Sequence, residues 1–441
     1  MPRTILIISD AVIIAGSCVI ALLLRHHGTV PVPEYWWTTL AFFIVSVIIT
    51  YAYYGLYNHY LYTQRFLLVF RIFKAWSVIC LAFIVNALVL NLSSVSHDMG
   101  FIAVFVAVSL IMQFFVRVLV VEKLLPGYFT VTGSVRTCRY VGPESMYRQI
   151  ADFFAERPFT GLRICKDHDT DRQSGKLMDV FLYSTADTFK DLYEDITSSR
   201  VNGSTIHVAS SLFNQLRIEN EWCSIEGVPL YTFNEAKYRK VSDGASRIMD
   251  IIISVMSLVL LAPFFVIISI AIKMDSRGSI IYKQKRCGLD GRIFTFYKFR
   301  SMHQRVVSAM PESDKESALN ISVSKEVTPS QKCVTDVGRL LRWASIDEWP
   351  QLLNVIKGDM SLVGPRPHRP AEVALYEEWH RDRLLVKQGL TGMWQVYGRG
   401  EMPCDKSIFL DLMYVKNKSL GLDIRLLLKT IPVVILGKGA Y

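Results

Sequence analysis

Two adjacent carboxylates, Asp347 and Glu348, stand between Ser345 and Pro350. A carboxylate can attack phosphorus and form a covalent acyl-phosphate. A magnesium ion usually takes one or two carboxylates together with the phosphate oxygens of its substrate. The same segment also fits a simpler role, because Ser345 and Glu348 have the Ser-x-x-Glu spacing of a capping box at the start of a helix. Taken alone, the segment favours the helix cap.

Basic residues stand on both sides of these carboxylates. Lys298 and Arg300 alternate in one apolar segment, Arg342 precedes Asp347, and Arg366 lies between two prolines. Arginine can grip a phosphate group with two parallel hydrogen bonds, so this set could balance the charge of a diphosphate. Each residue also has an ordinary explanation, either as the solvated side of a strand or as part of a rigid exposed loop.

The composition indicates a membrane protein with a basic C-terminal part. Of the 441 residues, 51% are hydrophobic, which is unusual without membrane segments. The net charge of +10 arises entirely after residue 238, where 30 Lys and Arg stand against 20 Asp and Glu. Such a surface suits an anionic membrane or a phosphorylated substrate. Because no zinc-finger or helix-turn-helix spacing is present, we expect no nucleic-acid partner.

The eight cysteines are scattered and form no C-x-x-C pair. The sequence therefore predicts neither a zinc signature nor a disulfide framework. Scattered thiols fit a reducing compartment for the soluble parts of the chain.

Four apolar runs open the chain, at about 4–24, 36–57, 66–90 and 100–121. Each is long enough to cross a hydrocarbon core of about 30 Å. The first has no strongly basic start and no small-residue cleavage site, so we interpret it as a retained span. Lys and Arg concentrate in the link at 58–74 and after residue 122. The positive-inside rule then places the N-terminus and everything after residue 122 in the cytoplasm.

Residues of about 135–238 carry alternating strand and helix signals and predict a small α/β domain. The segment Arg139–Gly142 begins like a nucleotide-binding strand and turn. A phosphate-binding loop there would need the pattern G-x-G-x-x-G, but Gly142 is followed by Pro143 and Glu144, and the later glycines are missing. We therefore expect no dinucleotide binding and a structural or regulatory role for this domain.

A further apolar run, Met249–Met274, is interrupted by Pro263. A proline inside a helix removes a backbone hydrogen bond and produces a kink. The run could be a fifth crossing, which would place the basic domain outside, or a re-entrant helix that enters and leaves the same leaflet. On this segment alone, both topologies stay open.

From about Asp243 onward, the chain resembles the bacterial sugar transferase family. Its members are the polyprenyl-phosphate hexose-1-phosphate transferases, also called monotopic phosphoglycosyl transferases. The four leading spans and the degenerate nucleotide-fold domain resemble the long members of the family. The resemblance rests on the segments Phe296–Met302, Asp347–Leu352, Asn354–Pro367, Lys387–Gly392 and Asp411–Val415.

The resemblance implies a two-step reaction. Asp347 would attack the sugar-bearing phosphate of a UDP-hexose, with glucose and galactose both open, and release UMP. Undecaprenyl phosphate would then take the phospho-sugar from Asp347. This would be the first step of exopolysaccharide, capsule or O-antigen (lipopolysaccharide) synthesis. Glu348 would hold Mg²⁺ as metal ligand. The implied substrate-binding residues are Lys298, Arg300, Arg342, Gln351 and Arg366.

The implied architecture is a helical membrane bundle (1–125), a degenerate Rossmann-like α/β domain (126–240), and a re-entrant helix kinked at Pro263 with a small, mostly helical catalytic domain (241–441). It predicts a multi-pass protein of the bacterial inner membrane, in contact with membrane lipids, whose catalytic domain is cytoplasmic. A homodimer through the middle domain is open. The polar insertion 303–333 is either a mobile loop over the site or a plain connector.

Departures from the family pattern are Ala262, Trp349 and Tyr397. They stand where Ser, Leu and Asn are common, and we expect them to tune the kink, packing or sugar choice. Two other function classes fit the sequence less well. A nucleotide-sugar oxidoreductase or epimerase would need the missing glycine-rich turn, and a non-catalytic scaffold would tolerate changes at Asp347.

Overall fold

The computed structural model describes thirteen stretches of the chain, and the predicted insertion at 303–333 lies outside them apart from His303. They are residues 2–26, 35–57, 65–89, 99–132, 135–166, 179–199, 204–216, 218, 223–225, 227–233, 239–303, 334–398 and 402–435. The chain forms two compact units. The first comprises 1–184, 206–211 and 219–232, and the second comprises 185–205, 212–218 and 233–441. The three domain boundaries drawn from the sequence stay a prediction.

Long apolar helices form where the sequence predicted them. In the first unit they are α1 (Pro2–His26), α2 (Tyr35–Tyr53), α3 (Arg65–Val89) and α4 (Met99–Leu119), which continues through a π-helical turn (Val120–Leu124) into α5 (Leu125–Val131). Among the described residues, three helical stretches are long and apolar enough to cross a membrane, and Leu40–Tyr53 is a shorter apolar helix. The three are Thr4–Ala21, Val104–Val131 and Gly244–Asp275.

A fully buried ion pair joins the first and fourth helices. The Arg117 guanidinium lies 2.8 Å from the Asp10 carboxylate, and both side chains are inaccessible to solvent. Arg117 also donates to the carbonyl of Leu56 at 2.6 Å. Beside it, the Tyr51 hydroxyl donates to the Gln113 side chain. Burying these charges is tolerable because each has a partner inside the bundle.

The first unit also contains a six-stranded sheet in the order β2-β1-β3-β4-β6-β5. The pairs β1–β2, β1–β3 and β3–β4 are parallel, whereas β5 and β6 form an antiparallel pair. The strand predicted at Arg139 and the α/β character of this region are thereby confirmed. The strands are β1 (Arg136–Val141), β2 (Leu162–Cys165), β3 (Asp179–Tyr183), β4 (Ile206–Ala209), β5 (Cys223–Ile225) and β6 (Val228–Phe233).

Neighbouring side chains fill the space around Gly142 in the turn after β1. Helix α6 (Glu144–Ala155) follows it and has no side-chain cap at Pro143. A Cβ atom placed on Gly142 would lie 2.9 Å from the Tyr140 hydroxyl and from Tyr183. With a carboxylate in the first helical turn, this helix start does not suit a phosphate group.

The second unit is mostly helical and is built on the 37-residue helix α8 (Arg239–Asp275), which contains Pro263. An antiparallel hairpin of β7 (Ile281–Cys287) and β8 (Ile293–Phe299) follows it. The short parallel pair β9 (Ser361–Val363) and β10 (Gly389–Thr391) lies further on. The remaining helices are α9 (Asp336–Trp343), α10 (Leu352–Lys357), α11 (Pro370–Ala374), α12 (Glu378–Arg381), α13 (Met393–Tyr397), α14 (Cys404–Asn417) and α15 (Leu420–Ile435).

Both flanks of α8 are fixed to this unit. Near its start, Arg247 donates to the carbonyl of Val355 at 2.6 Å, and the Asp250 carboxylate accepts the backbone N–H of Leu362 at 2.9 Å. Near its end, the buried Ile272 packs in one cluster with Phe299 and Leu341. Between the two flanks, large apolar side chains such as Met256, Val259 and Leu260 are 66–74% exposed.

Helix α7 (Phe189–Ser198) belongs to the second unit, although the chain reaches it between β3 and β4. The Phe189 ring packs against Phe409 with centroids 5.0 Å apart. The Tyr193 hydroxyl donates to the Asp382 carboxylate. These contacts hold α7 on the part of the unit formed by residues that come much later in the chain.

We expect Arg117→Leu to destabilise the protein by about 3–5 kcal/mol, because it leaves the Asp10 carboxylate buried without its cation. The double variant Asp10→Leu/Arg117→Leu should regain much of that loss. Lys74→Leu is the control, because Lys74 is an exposed cation of α3. Unfolding in detergent measures the stability of each variant, including Asp10→Leu alone. If the double variant loses as much stability as Asp10→Leu and Arg117→Leu lose together, the pairing is contradicted.

Candidate active site

Asp347 and Glu348 lie on a six-residue 3-10 helix, Ile346–Gln351, which leads into α10. Ser345 does not cap this helix: it adopts a left-handed conformation with φ 56°, and its side chain makes no capping hydrogen bond. The capping-box interpretation is therefore wrong, because the Glu348 side chain is bound elsewhere. A left-handed non-glycine residue is strained. Ser345 fixes the direction of the backbone immediately before Asp347 and Glu348.

The Glu348 carboxylate lies between two cations. Its Oε1 accepts from Lys298 Nζ at 3.0 Å and from Arg366 Nη2 at 2.8 Å. Burial alone would raise the pKa of Glu348, but the charges of Arg366 and Lys298 outweigh it and hold the pKa below its ordinary value. Glu348 is therefore ionised at any working pH and joins β8 to the loop that follows β9.

Asp347 has the opposite electrostatic environment. It is only 7% exposed, and its nearest cation, Lys298 Nζ, lies 3.6 Å from Oδ2. Burial raises the pKa of Asp347, Lys298 opposes this, and the neighbouring Glu348 charge raises it further. A carboxylate that is poorly solvated when ionised is a better nucleophile than one in water.

Arg342 adds positive charge near Asp347. Its Nε donates to the Ser301 hydroxyl at 3.0 Å. Burial lowers the pKa of Arg342, while the Asp347 charge opposes that shift. Of the predicted residues, Lys298, Arg342 and Arg366 thus surround the carboxylate pair.

Arg300 is not part of this group. Its guanidinium donates to the carbonyls of Ile272 at 3.0 Å, Ser276 at 2.6 Å and Ser279 at 2.7 Å, where α8 ends. The carboxyl end of a helix carries partial negative charge, so a cation there stabilises the helix end. The structure therefore places Arg300 at the end of α8, and its role at the phosphate stays a prediction. Gln351, the last residue of the 3-10 helix that carries the carboxylate pair, is 2% exposed.

Sequence reasoning missed the residues that support the site from behind. Arg383 Nη2 donates to the Asp411 carboxylate at 2.5 Å, and both side chains are almost completely buried. The same nitrogen lies 3.4 Å from the carbonyl of Arg366. Asp411 stands in one of the family-like segments, but nothing in the sequence pairs it with Arg383.

Asn354 supports the other side of the site. It is fully buried, donates to the carbonyl of Thr295 at 2.7 Å and accepts the N–H of Tyr297 at 3.2 Å. Strand β8 is therefore held against α10 immediately before Lys298. Further positive charge comes from Arg286, which donates to the carbonyl of Pro367 at 2.9 Å.

The donor chemistry of the site suits a magnesium ion. Mg²⁺ prefers carboxylate and phosphate oxygens, and Asp347 and Glu348 supply adjacent carboxylates. Because Oε1 of Glu348 already binds two cations, a metal ion would use other carboxylate oxygens together with those of a bound diphosphate.

Known proteins share this part of the chain. Residues 241–437 match the family described as bacterial sugar transferase. The exopolysaccharide production protein ExoY of Sinorhizobium fredii is 36% identical over 206 residues, which are 46% of this chain and 91% of that protein. The chain belongs to the bacterial sugar transferases.

Longer relatives extend the similarity beyond this region. The UDP-glucose:undecaprenyl-phosphate glucose-1-phosphate transferase of Klebsiella pneumoniae is 29% identical over 350 residues, 72% of each chain. The undecaprenyl-phosphate galactose phosphotransferase of Salmonella typhimurium is 39% identical over 198 residues, 44% of this chain and 41% of that one. The matched region of this sugar transferase contains every predicted site residue.

We expect Asp347→Asn to raise thermal stability at neutral pH. The raised pKa means that ionised Asp347 costs stability above its unfolded pKa, and asparagine carries no charge. A gain of about 1 kcal/mol would appear as about 2–4 °C. The gain should shrink as the pH falls and Asp347 becomes protonated.

Thermal unfolding in detergent at pH 8 and pH 5 measures this difference. Asp290→Asn is the matched control, since Asp290 is an exposed carboxylate in a left-handed turn that asparagine also tolerates. A loss of stability in Asp347→Asn at pH 8 would show that ion pairing, not desolvation, dominates at this carboxylate.

Proposed function

We propose that this sugar transferase moves a hexose-1-phosphate from a UDP-hexose to undecaprenyl phosphate. The observation that carries the proposal is the buried Asp347 carboxylate beside the ionised Glu348 and its two cations. It provides a nucleophile and phosphate-binding charge within one site. The names of the relatives, which specify glucose-1-phosphate transfer and galactose phosphotransfer with undecaprenyl phosphate, support the same reaction.

In the first step, a carboxylate oxygen of Asp347 forms a bond to the phosphorus that carries the sugar. The bond from that phosphorus to the bridging oxygen breaks, and UMP leaves with the electron pair. In the second step, a phosphate oxygen of undecaprenyl phosphate attacks the same phosphorus and displaces Asp347. Lys298, Arg342 and Arg366 balance the negative charge in both steps.

Glu348 is the residue that we propose as metal ligand, through an oxygen outside its ion pairs. When bound, Mg²⁺ would supply positive charge to the diphosphate. The ionised state of Glu348 supports this role, because a protonated carboxyl would be a poor ligand.

The donor sugar is glucose or galactose, and the product would be the first lipid-linked sugar of an exopolysaccharide, capsule or O-antigen. The ExoY relative, which is named for exopolysaccharide production, supports this class of pathway.

We place the catalytic part on the cytoplasmic side of a bacterial inner membrane, with four spans before it. Straight helix between Arg247 and Ile272 would extend about 37 Å, more than the hydrocarbon core of about 30 Å. A crossing would therefore separate these flanks. Arg247 instead binds α10 and Ile272 packs on Phe299, and Asn354 joins those two elements. This supports a re-entrant helix at Pro263.

We expect Asp347→Asn to lower UMP release from UDP-glucose or UDP-galactose by about a thousandfold or more, because the nucleophile is lost. The assay uses the full chain in detergent with each UDP-sugar in turn. Asp290→Asn should keep full activity.

Mass spectrometry of wild type without lipid acceptor should find the phospho-sugar on Asp347. An adduct on another residue, or full activity in Asp347→Asn, would refute the mechanism.

For topology, we expect Cys404 to be labelled only from the cytoplasmic side. Cys404 is exposed and belongs to the catalytic part. The test uses a variant in which it is the sole cysteine, with Cys404→Ser as control, and a membrane-impermeant maleimide on intact cells and on inverted vesicles. Labelling of Cys404 in intact cells, where the reagent reaches only the periplasmic side of the membrane, would refute the re-entrant helix.

A further inference from the structure

Three different metal-binding groups meet inside the sheet of the first unit. Cys138 lies on β1, Asp179 on β3 and His207 on β4, and one ligand atom from each lies within 4.8 Å of the other two. The side chains are 0%, 8% and 2% exposed, respectively. A thiol, a carboxylate and an imidazole are thus enclosed together, well away in sequence from the carboxylates at 347 and 348.

Strand pairing itself produces this meeting. Cys138 is paired directly with Asp179 across β1 and β3. His207 is paired with Phe181, two residues beyond Asp179 and therefore on the same face of the sheet. Because the three ligands come from three separate strands, the sequence shows no short metal-binding motif.

Neighbouring side chains orient the imidazole and the carboxylate. His207 Nδ1 lies 2.9 Å from the Thr232 hydroxyl, and metal-binding histidines usually use their second ring nitrogen for such a bond. Arg136 Nη1 lies 3.2 Å from the Asp179 carboxylate, and carboxylates that bind metals are commonly held by a second partner in this way.

The thiol is the group that a cation would change. A coordinated divalent metal ion deprotonates the thiol that binds it. The combination of sulfur, nitrogen and oxygen ligands suits Zn²⁺, whereas Mg²⁺ prefers oxygen ligands alone.

We propose that Cys138, Asp179 and His207 bind one zinc ion that joins strands β1, β3 and β4. Water takes the fourth tetrahedral position, as at other zinc sites with three protein ligands. This site does not depend on the proposed transferase reaction.

The first test is metal analysis of the full chain, purified in detergent without chelators from zinc-supplemented cells. We expect about one zinc per chain in wild type, and at least a tenfold loss in Cys138→Ser and in His207→Ala. Cys165→Ser is the matched control. Cys165 is a thiol of the neighbouring strand β2, paired with Arg139 rather than with Cys138, and so lies on the opposite face. It should keep its zinc.

The second test begins with wild type alone, which already decides it where a variant fails to fold, and adds Cys138→Ser where that variant folds. Exchange of zinc for Co²⁺ should produce a near-ultraviolet band of thiolate-to-cobalt charge transfer. In folded Cys138→Ser the band should be absent. Wild type without zinc and without this band, or a band that persists in Cys138→Ser, overturns the site.

Discussion

A single carboxylate held between two cations governs the arrangement of the second unit. Glu348 fixes Lys298 from β8 and Arg366 from the loop after β9 at one point. Taking three charged groups out of water is costly unless each is well bonded. Because Glu348 is ionised so firmly, its neighbour Asp347 experiences a nearby negative charge as well as burial. Two adjacent residues of the same acid chemistry thus acquire different protonation behaviour.

The polar residues buried behind the site are explained by this requirement. Lys298 reaches Glu348 only if β8 is fixed, and Asn354 fixes it through two backbone hydrogen bonds. The position of Arg366 depends on the conformation of its loop. Arg383, which is paired with Asp411, contacts the Arg366 carbonyl and so supports that loop. Such buried polar groups add little net stability, but they determine where the cations stand.

Much of the architecture is readable from the sequence, and much of the site's support is not. The apolar runs give the long helices because length and composition suffice. The family-like segments single out Lys298, Arg366 and Glu348, but only the fold shows that the two cations bind this carboxylate. The capping box predicted at Ser345 was wrong because the sequence Ser-x-x-Glu is compatible both with a capping box and with a left-handed residue before the helix. The contacts of Arg300 could not be predicted, because only the fold shows which carbonyls its guanidinium binds.

The position of α7 has a consequence for how the protein is made. Tyr193 bonds to Asp382, a residue 189 positions later in the chain. On the ribosome, α7 must therefore wait until the catalytic part has been synthesised before it can bury its aromatic face. Strands β3 and β4, on either side of α7 in the chain, belong to the other unit. The two units are interleaved along the polypeptide. If evolution replaced the first unit by an unrelated domain, α7 would have to stay with the catalytic part.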